Sequence, residues 1–286
     1  MSLAETTLLG AIAGFTIFLG LPFARMERVG PRARVALAML SVGILAFLFV
    51  DVTGHGFELV EDAVTKAREG GSTGRAVGFG LMFIAGLFIG IVGLTLIERR
   101  SKRSPAQLPP LGGAAAETLT AEQSAALAAH EAVTARARAL RTGLVIAAAI
   151  GLHNFAEGLA IGVSAQAGEI GLATILIIGF AAHNATEGFG IVGPLGAIKP
   201  SWRWLLLAGL IGGGPTFVGA FVGWHVTSEG LELAFYALAG GALLYVIGEI
   251  WNGVRKLGHR ELGMYMLFVG LAAGFLTDLI LVAGGA

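Results

Sequence analysis

The chain reads as an all-α integral membrane protein of eight transmembrane helices, on three observations. Of its 286 residues, 55% are hydrophobic and only 13% charged, about half the charge of an ordinary soluble domain. Eight stretches approach the 20 or so apolar residues that a span needs. The basic residues also crowd into alternate connections, as cytoplasmic loops do.

The spans predicted from the apolar runs are Thr6–Phe23, Val35–His55, Ala76–Ile97, Thr142–Ala165, Ile170–Leu195, Trp202–His225, Leu231–Trp251 and Leu262–Val282. A soluble helical core would not supply eight near-continuous apolar runs. The first run is read as a retained helix, because Met1 to Glu5 lacks the basic n-region of a signal peptide. The 45 glycines fit closely approaching membrane helices. Trp202, Trp204 and Trp251 fall at span ends, as interfacial anchors do.

With the N-terminus outside, the inner connections hold all but three of the 19 Lys and Arg, and only Lys66, Arg68 and Arg75 lie outside. Eight spans then place both termini outside and the long loop 99–141 in the cytoplasm of a cell whose plasma membrane the chain crosses. The loop's first part, with Pro105, Pro109, Pro110, Gly112 and Gly113, reads as linker. Its second part, Ala121–Leu140, reads as a solvated extension of the fourth helix, entered through a capping-box pattern at Thr120 and Gln123. The chain is one transmembrane domain, 1–286. The loop divides its spans three, two and three, and two triplets of opposite orientation are the layout of an inverted repeat.

Zero formal charge offers no basic surface to nucleic acid, and the absence of cysteine excludes thiolate metal sites. What remains is a doubled string: His153-Asn154-Phe155-Ala156-Glu157-Gly158 in the fourth span and His183-Asn184-Ala185-Thr186-Glu187-Gly188 in the fifth. His and Glu four apart lie about 40° from each other around a helix, one turn above the other. A short connection at Gln166–Glu169 makes the two helices antiparallel neighbours. Facing each other, they bring together His153, Glu157, His183 and Glu187, with Asn154 and Asn184 at the edges. Two imidazoles and two carboxylates suit Zn²⁺ or Fe²⁺, and also Mn²⁺, Co²⁺, Ni²⁺ or Cd²⁺; they make a poor cage for Mg²⁺. The bland alternative is a pair of His–Glu hydrogen bonds that staple helices together. Against it, two carboxylates at helix centres cost roughly 5–7 kcal/mol on the insertion scale, and packing alone needs only Ser or Ala.

The paired strings resemble the signature of the ZIP family of divalent-metal transporters, and the H-N-A-T-E-G-F-G wording resembles its GufA-like branch. The three-two-three layout and Gly240 to Glu249 of the seventh span are also similar to that family. The resemblance implies an eight-helix bundle, often dimeric, whose substrate is a divalent metal bound at mid-membrane, zinc before the others. It assigns His153, Glu157, His183 and Glu187 to the primary site and Asn154 and Asn184 to second-site positions. The family's Pro before Glu is Ala156 and Thr186 here, and Gly214 stands before Pro215 where many members carry a Glu ligand. A single main site is therefore expected.

Asp51 and His55 are four apart at the outer end of the second span and form a candidate cation funnel. Glu249 and Asp278 are the other candidate pathway residues. The expected function is transport by alternating access rather than catalysis, weakening in acid because metal displaces protons from its ligands. The competing reading is an intramembrane zinc hydrolase, although H-E-x-x-H is absent and a doubled ligand set leaves no open coordination position.

Overall fold

The computed structural model describes residues 1–26, 30–102, 121–168, 170–225 and 228–283. The Pro/Gly linker, Arg28, Arg103 and the Thr120 cap fall outside these residues. Among the described residues every regular element is helical, and eight helices are long and apolar enough to cross a membrane. They are α1 (Leu3–Arg25), α2 (Pro31–Arg68), α3 (Thr73–Lys102), α4 (Ala121–Gln166), α5 (Ile170–Val192), α6 (Trp202–His225), α7 (Glu229–Arg255) and α8 (Arg260–Ala283).

Two helices run well past their apolar stretches. The 38 residues of α2 extend about 57 Å at 1.5 Å per residue, against a hydrocarbon core of about 30 Å. Beyond His55 the sequence turns charged but keeps strong helix formers, and Lys66 pairs with Asp62 one turn back at 2.6 Å. Helix α4 likewise includes the Ala-rich segment from Ala121. Loss of apolarity ends a span without ending a helix. Helix α1 does the reverse: it is interrupted at Thr16 and finishes as a 3₁₀ turn, Leu21–Arg25, around Pro22.

The packing follows the two-fold relation expected of an inverted repeat. Helix α2 packs along α8 and α3 along α7; α4 packs along α6 and α1 along α5. Exchanging α1 with α6, α2 with α7, α3 with α8 and α4 with α5 maps these pairs onto one another. The pairs α1–α6, α2–α7 and α4–α5 map onto themselves, and all three are in contact. The helices thus form two groups, α1/α4/α5/α6 and α2/α3/α7/α8, which meet where α7 touches α4 and α2 touches α5. Helix α4 is central, with 72% of its most apolar stretch buried, whereas α3 and α8 are peripheral at 11% and 17%. Their exposed Phe88, Ile89, Phe268 and Phe275 present an apolar surface suited to lipid.

On one face of the bundle, Arg25, Arg34 and Arg136 donate to the carbonyls of Pro200, Gly196 and Lys199. Three segments that the basic-residue pattern puts on one side therefore converge on the α5–α6 loop.

Candidate metal centre

The last residue of each H-N-x-x-E-G string explains how its helix is placed. A Cβ at Gly158 would run into the Thr216 carbonyl and the backbone of Gly219 on α6. A Cβ at Gly188 would run into the Ile17 carbonyl and Gly20 on α1. Each motif helix therefore lies backbone to backbone on its partner, directly after its glutamate. The asparagines fasten the same two interfaces. Asn154 Nδ2 donates to the Gly212 carbonyl of α6 at 2.9 Å, and Asn184 Nδ2 to the Ala13 carbonyl of α1 at 3.2 Å. The residues beside each ligand candidate thus fix the helix, and Gly168, at φ 85°, reverses the chain between them.

With α4 and α5 so held, His153, Glu157 and His183 meet. One carboxylate oxygen, Glu157 Oε1, lies 2.9 Å from His153 Nε2 and hydrogen-bonds His183 Nε2. Among the described residues this trio forms a group able to hold a metal ion, its ligand atoms within 4.8 Å of one another. Glu187 stands one step away, with Oε1 4.0 Å from His153 Nε2. His153 and Glu187 are fully buried, Glu157 is 4% exposed, and His183 borders a cavity at 11%. Donors on a tetrahedral zinc stand about 3.3 Å apart, so Glu157 Oε1 lies closer to both imidazoles than it would on a shared ion.

The unsatisfied groups concentrate here. His153 Nδ1, Glu157 Oε2, both Glu187 oxygens and the Asn154 and Asn184 amide oxygens are buried without a hydrogen-bond partner among the described residues. Each such group costs about 1–3 kcal/mol if left unpaired. Helix packing gains nothing from leaving carboxylate oxygens in that state, whereas a cation beside Glu157 and Glu187 would recover their share of the cost.

Two cavities reach the cluster from the side of the α2–α3 connection. One, of about 360 Å³, is lined by Asp51, His55, Asp278, Tyr236, His153 and Glu157. The other, of about 220 Å³, is lined by Asp51, Asp278, His183 and Thr186. Asp51, His55 and Asp278 are thereby brought to the site. Glu249 is not: it lies farther along α7, near Tyr245 and the buried Glu98 of α3. Sequence reading missed Glu98, because a glutamate just past an apolar run reads as interfacial. It also missed Glu232, Tyr236 and Ser164, which carry no motif and line a cavity with His55 only because α7 packs beside α2 and α4.

The family model described as ZIP zinc transporter matches residues 1–247. The chain belongs to the ZIP family. It is similar to the zinc transporter ZupT of Corynebacterium aurimucosum, 26% identical over 254 residues, covering 85% of this chain and 84% of that protein. In this ZIP chain the position before Pro215 is Gly214, and a Cβ there would meet nothing within 4 Å. No carboxylate enters from α6 at that point, and the two asparagines commit their amide nitrogens to helix packing. Asn184→Ala is accordingly expected to lower stability by about 0.5–1.5 kcal/mol while leaving zinc affinity within a few-fold. Thermal unfolding and calorimetric zinc titration in detergent check both. A loss of affinity as large as that of a ligand variant would place the amide oxygen on the metal.

Proposed function

We propose that this chain carries divalent transition-metal ions, zinc first, across the cell membrane by alternating access through a site built from His153, Glu157, His183 and Glu187. The observation that supports this is the convergence of two imidazoles and a carboxylate on one point in the buried centre of the bundle, with a second carboxylate beside it. Charged and imidazole groups in that position are costly unless a cation passes or resides there. The ligand set suits zinc, and Fe²⁺, Mn²⁺, Co²⁺, Ni²⁺ or Cd²⁺ after it.

The ion enters by the Asp51/His55/Asp278 side, sheds water and is held between α4 and α5. The site lies at the seam of the two four-helix groups, so relative movement of the groups exposes it to one side and then the other. Both termini lie outside and loop 99–141 inside, as the Lys/Arg distribution supports. The homodimer implied by the resemblance would use the exposed apolar surface of α3 and α8.

Proteoliposomes loaded with a metal-sensitive dye test the reading. Saturable Zn²⁺ flux is expected, with Fe²⁺ and Mn²⁺ weaker and Mg²⁺ absent, and it should be lost in His183→Ala and Glu187→Ala. Folded, metal-binding protein that moves no ion would overturn it.

A further inference from the structure

A third cavity, of about 220 Å³, lies between α2, α4, α5 and α7, beside the route described above and touching it at His55. Its polar lining is His55, Ser164, Glu232 and Tyr236. It shares His55, Ala156, Ala160, Leu172, Leu176 and Tyr236 with the cavity that touches His153 and Glu157. The two spaces are therefore neighbours, with His55 on their common wall.

Three features suit this space to a cation. The His55 imidazole is oriented by Asp51: Nδ1 lies 3.0 Å from its backbone carbonyl and 3.7 Å from its Oδ1, both acceptors, which favours the proton on Nδ1. In the neutral ring Nε2 then offers its lone pair, the arrangement a metal-binding histidine uses. Glu232 lies one turn before Tyr236, whose ring centroid is 5.9 Å from that of His55. Among the described residues its carboxylate has no Lys or Arg partner, the basic Arg75 being paired with Glu229. Ser164 is only 8% exposed, lines the cavity, and makes no hydrogen bond among the described residues. A volume of about 220 Å³ accommodates a divalent ion with its inner water shell, since six waters occupy roughly 180 Å³.

We propose that this cavity is an outer capture site for a hydrated divalent metal ion, in which Glu232 supplies the charge, His55 Nε2 and the Ser164 hydroxyl supply further donors, and His55 passes the ion to the central site. The proposal rests on the transport reading for its purpose but not for its existence. A single carboxylate with neutral donors holds the ion loosely enough to release it, whereas the central cluster strips its water.

Two measurements test it. In oriented proteoliposomes, Glu232→Gln and His55→Ala are each expected to raise the zinc concentration for half-maximal uptake by about three- to tenfold, with most of the loss in that constant rather than in the maximal rate. In detergent, the folded double variant Glu157→Gln/His183→Ala is expected to retain one weak zinc site by calorimetry, and adding Glu232→Gln should abolish it. Ser164→Ala, a smaller change, should weaken the residual site about two- to threefold and covers the case in which a charged-site variant folds poorly. Unchanged half-maximal concentrations, or a residual site indifferent to Glu232, would overturn the capture site. Absent flux in the wild type, with the residual site intact, would instead overturn the transport reading alone.

Discussion

Glu157→Gln is expected to lower zinc affinity by more than about 100-fold and to reduce transport to background, with little effect on folding. Replacing a partner that only orients a metal ligand already costs about 10- to 100-fold, and Glu157 holds a more central place. Among the described residues its Oε1 is the carboxylate atom that lies against both His153 Nε2 and His183 Nε2. The amide keeps the shape of the side chain and can still hydrogen-bond one imidazole. It loses the negative charge that compensates a dication in a medium of low dielectric constant.

Glu187→Gln provides the internal comparison. Its Oε1 is 4.0 Å from His153 Nε2, and Glu187 lies outside the trio. It is expected to weaken zinc binding by a smaller factor, about tenfold, while still halting transport, because the ion must be wrapped by both helices before it can cross. Calorimetric titration of the two variants, each compared with its own melting curve, decides the order. Equal losses would make Glu187 an equal partner in the resting site. A Glu157→Gln protein that binds zinc normally would remove the trio from the binding step.

The hydrophobic runs were sufficient to read eight helices, their order and the triplet symmetry, because a span is a local property of some 20 residues. They were a poor guide to where helices end: Glu58 to Arg68 leave the apolar phase yet stay helical, since water does not break a helix of good formers. The motif was legible because both strings are local and identical in pattern. That Glu157 rather than Glu187 joins the two histidines was not legible, for it depends on how α5 is rotated against α4, which spacing within each helix does not encode. Glu232 and Ser164 belong to the same class: each is ordinary in its own helix and acquires meaning only opposite His55. Asn154 and Asn184 illustrate a further limit: spacing within each helix does not show that their amide nitrogens meet the carbonyls of Gly212 and Ala13 and so fasten α4 to α6 and α5 to α1.

That fastening leads to the second large effect, at a residue that touches no metal. Gly158→Ala is expected to abolish zinc uptake while leaving every ligand candidate in the chain. The added methyl would meet the Thr216 carbonyl, the Ala220 nitrogen and Gly219 Cα, all backbone atoms that no rotamer change can move. The helices must separate, and overpacking of this kind costs about 1–3 kcal/mol. Displacement is the larger consequence. Gly158 follows Glu157 directly, so a shift of α4 moves Oε1 relative to His183 on α5, and metal ligation tolerates only about 0.2 Å of error in each bond. Gly188→Ala should act equivalently from the other helix, since its methyl would meet Ile17 and Gly20 of α1. Gly214→Ala, on α6 between the same elements, serves as the control because nothing lies within 4 Å of its added carbon. Uptake assays on the three variants, normalised to folded protein, should show the first two inactive and the third close to wild type. Active Gly158→Ala protein would mean that the α4–α6 contact can loosen without disturbing the site, and that the backbone seam does not set the position of Glu157.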